Sequence, residues 1–216
     1  ETEMKTPQRS AFRNRQPLLR PLALALAATT LLSFSLSLGA QTPSQLPTGL
    51  QVVRGQAQAQ TEAGRMTVHN SAGAILNWNS FSIGSNNQVH FQQPDAASKV
   101  LNRVLGKDPS QIFGQLSSNG QVWLLNPNGV LFGAGSRVDV AGLVASTLHL
   151  NDSDWLAGRT LLGTADALPA AAVVNEGEIK TLAGGRVALV AAEVRNEGRI
   201  DTPQGQTVLA GARQVE

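Results

Sequence analysis

The 216-residue chain predicts an all-β fold, a right-handed single-stranded parallel β-helix, from three observations. The first is a repeat. Asn175, Glu176, Gly177 and Ile179 return as Asn196, Glu197, Gly198 and Ile200, each 21 residues on, and Gly184/Gly205 and Val187/Val208 keep that offset. A fixed period near twenty marks a solenoid. The second is the make-up of each unit. Short Val, Ile, Leu and Ala runs lie between Asn-Glu-Gly or Gly-Gly corners, and such runs are too short and too β-branched for helix pairs. Parallel strands stacked ~4.8 Å apart satisfy the pattern, and strand twist with the crossover rule gives the right hand. The third is the stretch 120–133, almost continuously apolar and broken once by Asn126-Pro127-Asn128-Gly129. Pro127 fixes its own φ at about −65° and keeps Asn126 extended. Asn128 and Gly129 tolerate positive φ, so a buried strand enters, the chain turns sharply, and a second strand leaves.

Residues 1–40 stand outside this fold. Lys5, Arg9, Arg13, Arg15 and Arg20 form a basic lead, an apolar run follows from Leu22 to Leu38, and small residues precede Gln41. That order describes a signal peptide cleaved near Gly39 or Ala40. A membrane anchor fits less well, because Ser or Thr fills five of the 17 positions of a run barely long enough to span. Without this segment the charge balance falls from 17 basic against 15 acidic residues to 12 against 13. No basic patch remains to suggest nucleic acid as a partner. The remaining 176 residues suffice for one domain with a real core, and at 21 per coil they give on the order of eight coils, a stack roughly 40 Å long. The chain has no cysteine. Either passage through a narrow pore forbids bridged loops, or an elongated β-stack needs no staples.

The elements follow in order. Residues 41–67 are poor in large apolar side chains and suit an N-terminal cap over the open end of a stack. The helix proper is expected over 68–216. Residues 75–84 alternate from Ile75, and Val89-His90-Phe91 do so again. Residues 100–106 and 111–116 are further strand-sized pieces, and Asn119-Gly120 signals a hairpin or corner. Residues 152–169 have lower strand character and are expected outside the coil, with a short helix near Trp155. Val208-Leu209-Ala210 still reads as mid-coil shortly before Glu216, which suggests the head of a longer protein.

Residues that could carry chemistry do not converge. His69, His90 and His149 are widely spaced with no Cys or carboxylate at ligand spacing, so each reads as a strand-face residue and no metal or cofactor is expected. Gly133-Ala134-Gly135-Ser136 is only a fragment of a phosphate loop. Asp152 and Asp154 read as solvated loop residues, and Glu176 and Glu197 as exposed members of a repeated corner. No catalytic set emerges. Asn126 and Asn128 instead offer side-chain amides that can satisfy backbone groups orphaned at the corner.

Several blocks together resemble the N-terminal secretion domain of two-partner-secretion exoproteins, the filamentous-haemagglutinin-like family. Asn77-Trp78-Asn79-Ser80-Phe81-Ser82-Ile83-Gly84 looks like its early strand block. Leu101-Asn102-Arg103-Val104 and residues 109–114 resemble its central segment. Asn126-Pro127-Asn128-Gly129-Val130 matches its best-known motif, and residues 142–148 look like the coil that follows. The supporting positions are Asn77, Trp78, Phe81, Ile83, Asn102, Arg103 and Val104. An Asn-Pro-Asn-Leu motif present in many members is absent, which places the pattern nearer the branch that includes high-molecular-weight adhesins. The resemblance implies a capped right-handed β-helix with extra-helical elements. It also implies export as a monomer through an outer-membrane β-barrel transporter whose periplasmic POTRA domains capture this domain. The corner residues either hold the fold or are read directly by that partner. A second reading is an adhesive module that binds host surfaces or glycans. A third is a polysaccharide-active β-helix enzyme with a carboxylate-lined cleft.

Overall fold

Alternation of inward apolar and outward polar residues winds the chain into turns with three flat faces. The computed structural model describes residues 45–163, 171–212 and 214–215; the expected signal peptide lies outside them. Two strands come first, β1 (Gln51–Arg54) and β2 (Ala57–Glu62), followed by β3 (Arg65–Asn70) and β4 (Ile75–Trp78). β1 pairs antiparallel with β4, and β2 antiparallel with β3. Next along the chain are β5 (Gln88–Gln92), β6 (Lys99–Val104), β7 (Ser110–Ile112), β8 (Gln115–Ser118) and β9 (Gln121–Leu125). β10 (Val130–Phe132), β11 (Arg137–Val140) and β12 (Gly142–Ser146) complete a further turn. A detour carries a short helix α1 (Asp152–Leu156) and β13 (Leu162–Gly163). The coil then resumes through β14 (Ala172–Asn175), β15 (Glu178–Thr181), β16 (Arg186–Ala191), β17 (Glu193–Asn196), β18 (Arg199–Asp201) and β19 (Gln206–Gly211). Last, β20 (Gln214–Val215) pairs antiparallel with β13.

The first face stacks β4, β6, β9, β12, β16 and β19 in parallel; the second stacks β7, β10, β14 and β17; the third stacks β3, β5, β8, β11, β15 and β18. This is the expected parallel β-helix, with about six turns instead of eight. The count falls short because the first two strands lie antiparallel to the coil, early turns run long (Ile75 sits over Leu101), and the detour lengthens one turn. Five rung spacings of ~4.8 Å make the stack about 24 Å long.

Register turns the sequence into columns. On the third face Met66, Val89, Leu116, Val138, Ile179 and Ile200 lie one above another. On the first face Val100, Val122, Leu143 and Val187 do the same. These residues form one continuous inner core, joined near its start by the edge-on pair Trp78–Phe81 at 5.5 Å between ring centroids. The 21-residue repeat is real up to Ile179 over Ile200, but Val187 sits over Thr207 and not Val208. The connection before β19 is one residue shorter than the one before β16.

The outward side of the first face is apolar as well. Ile75, Leu101, Trp123, Leu125 and Val144 form a second cluster, covered from outside by Leu148, Leu150, Trp155 and Leu162 of the detour. The described part of the detour, 147–163, lies outside the coil as its weak strand pattern predicts, with α1 at Trp155; residues 164–169 of that expectation fall outside the described residues. The Trp155 ring meets Trp123 edge-on at 5.3 Å, its indole N–H donates to the Gly73 carbonyl at 2.9 Å, and the Lys99 ammonium lies 4.4 Å from its centroid. Arg103 clamps the base, donating to the Leu150 carbonyl at 2.6 Å and pairing with Asp152 at 2.5 Å. Asp154 departs from the solvated expectation: it is buried and accepts two bonds from Arg159, because α1 turns it toward the packed side.

Trp155→Ala should cost about 3–5 kcal/mol by emptying the outer cluster. The parallel ladder does not pass through the detour, so proteolysis should open residues 147–163 first while far-ultraviolet circular dichroism keeps its strand signal. Simultaneous loss of both would show that the detour is integral to the coil.

Candidate functional site

Chain geometry makes the Asn126-Pro127-Asn128-Gly129 corner the junction between the first and second faces. The corner one turn earlier spans residues 105–109, and the corner one turn later is the detour. Asn126 is completely buried, so both ends of its amide must find partners. They do. Its Nδ2 donates to the Asp108 carbonyl and to Ser110 Oγ, both at 3.0 Å, and its Oδ1 accepts from the Asn128 backbone N–H at 2.9 Å and from Asn128 Nδ2 at 3.1 Å. Its own backbone N–H donates to the Ser146 carbonyl of the next turn at 2.9 Å. One residue therefore ties three successive turns.

Asn128 completes the set through its side chain, donating to the Gly106 carbonyl at 2.9 Å. Its backbone does not take positive φ, contrary to expectation; only Gly129 does, at 114°. The Asn126 amide accepting from the residue two positions on is an Asx turn, which supplies the bend without strain at Asn128. Gly129 has a second constraint, since a Cβ there would approach the Ala172 carbonyl of the turn above to 3.2 Å. Asn126 and Gly129 are buried, while Pro127 and Asn128 are partly accessible.

The supporting residues separate into two groups. Trp78, Phe81, Ile83, Asn102 and Val104 belong to the interior. Asn102 is the polar exception in an apolar column: its Oδ1 accepts from the Trp78 indole at 2.9 Å and its Nδ2 donates to the Trp123 carbonyl at 3.2 Å. Asn77 and Arg103 lie outward in register with each other, beside the detour. Blocks far apart in sequence nevertheless share one edge of the coil. The Leu105 N–H donates to the Trp78 carbonyl, the Gly106 N–H to the Asn79 carbonyl, and Asn128 to Gly106 above them.

Nothing comparable gathers elsewhere for chemistry. Among the described residues, no group of three His, Asp or Glu is close enough to hold a metal. His90 is taken up by Ser117 and Gln92, while His69 and His149 are exposed. The Ser98 hydroxyl and backbone N–H hold the Asp95 carboxyl below its usual range, which makes Asp95 a turn cap between β5 and β6. A groove of about 700 Å³ on the outer first face includes Lys99, Gln121, Trp123 and Arg186, and no carboxylate among its described lining residues.

Comparison with known proteins matches residues 44–216 to the TPS secretion domain. A heme/hemopexin-binding protein of Haemophilus influenzae (strain ATCC 51907 / DSM 11121 / KW20 / Rd) is 46% identical over 106 residues, covering 49% of this chain and 12% of that protein. A second heme/hemopexin-binding protein of Haemophilus influenzae is 45% identical over 91 residues, 42% of this chain and 10% of that protein. The matches thus span about a tenth of each relative's length. The crystal structure of the HMW1 secretion domain from Haemophilus influenzae superposes with a TM-score of 0.76 at 35% identity, covering 78% of this chain and 45% of that one.

The hydrogen bonds set an order of sensitivity at the corner. Asn126→Ala leaves the Ser110 hydroxyl and the Asp108 carbonyl unsatisfied and should cost about 1–3 kcal/mol. Asn128→Ala, at a partly accessible site, should cost less. Urea denaturation of both variants checks the order, and an Asn128 effect equal to or larger than that of Asn126 would contradict it.

Proposed function

The chain belongs to the family of TPS secretion domains, and on that premise we propose that it is the export and recognition module of a larger exoprotein. A signal peptide in residues 1–40 delivers it to the periplasm. There the POTRA domains of a cognate outer-membrane barrel transporter capture it, unfolded or partly folded, and strand addition supplies the affinity through main-chain bonds. The domain then passes the barrel and acts as a monomer on the outside. It has no catalytic role.

The observation that supports this reading best is the closed hydrogen-bond set of Asn126 within a matched secretion-domain fold. In the folded domain Asn126 is completely buried, and on this reading it serves export by holding the coil together. The same coil can drive transport. Each turn buries inward residues such as Val173, Ile179, Val187 and Leu189, each worth about 1.5–3 kcal/mol. Turns that stack outside the barrel therefore oppose backward movement. Adhesion to host surfaces or cargo binding is assigned to the remainder of the exoprotein, since the two named relatives extend far beyond the matched segment.

Asn128→Ala, or deletion of 126–129, should leave the protein in the periplasm of cells carrying the transporter. Fractionation followed by immunoblotting reads this directly, and normal release of both variants into the medium would count against the proposal. Purified chain should show no saturable binding to host cells; tight binding would favour an adhesive role for the domain itself.

A further inference from the structure

We propose that Asn119-Gly120 and Asn128-Gly129 are spontaneous deamidation sites that the finished coil shuts down, so that time spent unfolded is recorded as damage at two corners. They are the two Asn-Gly pairs of the sequence. Asparagine is a chemically labile residue, and a following glycine, with no Cβ, leaves its own backbone nitrogen open to approach. A bond forms between the glycine nitrogen and the asparagine Cγ, the Cγ–Nδ2 bond breaks, and the glycine proton leaves with ammonia. Water then adds to one carbonyl of the cyclic imide and breaks its C–N bond, giving Asp or isoaspartate. The net change is water in and ammonia out. It needs only the chain and water, not the transporter proposed above.

In both pairs the fold ties up the two groups that must meet. Asn128 Nδ2 donates to the Gly106 carbonyl at 2.9 Å and to Asn126 Oδ1 at 3.1 Å, while the Gly129 N–H donates to the Asn126 carbonyl at 3.1 Å. Asn119 is clamped at both ends of its amide. Its Oδ1 accepts from the Gln93 N–H at 2.8 Å, and its Nδ2 donates to the Gln93 carbonyl at 2.7 Å. The Gly120 N–H donates to Ser118 Oγ at 3.0 Å. Both asparagines are partly accessible, so protection comes from these bonds and not from exclusion of solvent. Reaction must therefore wait for local opening of the corner. The product cannot close the corner again. Both partners of Asn128 Nδ2 are acceptors, and an Asp there would set a carboxylate oxygen against them. At position 119 the same change would face the Gln93 carbonyl. Isoaspartate adds a backbone carbon where the ladders on either side fix the register.

Purified chain is held in neutral buffer, native or unfolded in urea, and digested at intervals for mass spectrometry. In urea Asn119 and Asn128 should convert well ahead of Asn175 and Asn196, each of which precedes a glutamate. In the native chain conversion at both should slow at least ~10-fold, as expected for a step gated by opening. Equal rates in the two states, or no lead over Asn175 and Asn196 in urea, overturns the inference. Asn119→Asp and Asn128→Asp test the damage itself, and their urea midpoints should fall below that of the parent. A variant that fails to refold counts with a lowered midpoint, and the rate comparison on the parent chain is untouched by it. Parent-like midpoints for both variants would overturn the claim that conversion spoils the corners.

Discussion

Everything in this molecule follows from hydrogen bonding between successive turns. A parallel ladder places each residue directly over its counterpart one turn earlier, so a property at one position is propagated up the stack. Met66, Val89, Leu116, Val138, Ile179 and Ile200 become a column because the backbone allows no other placement. The same rule makes polar residues costly inside unless they find partners, and Asn102 does so through the Trp78 indole and the Trp123 carbonyl. At the second corner Asn175 donates to Asn196 directly above it at 2.7 Å. Gly198 is required there, since a Cβ would strike the Gly177 carbonyl below.

The constraint also explains why corners matter more than faces. Faces are held by many equivalent bonds, whereas each corner must close its own backbone groups with whatever side chains it owns. Asn126 links three turns and sits one turn below the detour, where the ladder on the second face must resume after an interruption of more than twenty residues. Losing it would loosen the point where the coil restarts. This places Asn126 and Gly129 inside a junction between turns, with Pro127 and Asn128 partly accessible at its surface.

Much of the fold was legible because solenoids write their geometry into the chain. The Asn-Glu-Gly repeat predicted register up to Ile200, and the weak pattern after Asp152 predicted an element outside the coil. What sequence could not supply were contacts between unlike segments. Nothing in the residues near Trp155 indicates that its indole bonds Gly73, 82 positions earlier, or that Asp154 is buried against Arg159. The slip from Val208 to Thr207 came from a single-residue change in a loop, which apolar similarity between neighbours conceals. At the corner, residue types announced a turn, but Asn128 acts through its side chain while Gly129 alone carries the left-handed backbone.

Register is the claim on which the columns and the corner both depend, and the absence of cysteine makes it directly measurable. Glu178 and Arg199 are register partners on β15 and β18, both facing solvent, whereas Glu178 and Asp201 are displaced by two residues. Paired cysteines at 178 and 199 fall within disulfide reach of about 4.4–6.8 Å between Cα atoms, and those at 178 and 201 exceed it. Under mild oxidation the first pair should close quickly in the folded chain and the second should not. Preferential closure of the displaced pair, or of neither, would contradict the stacked register.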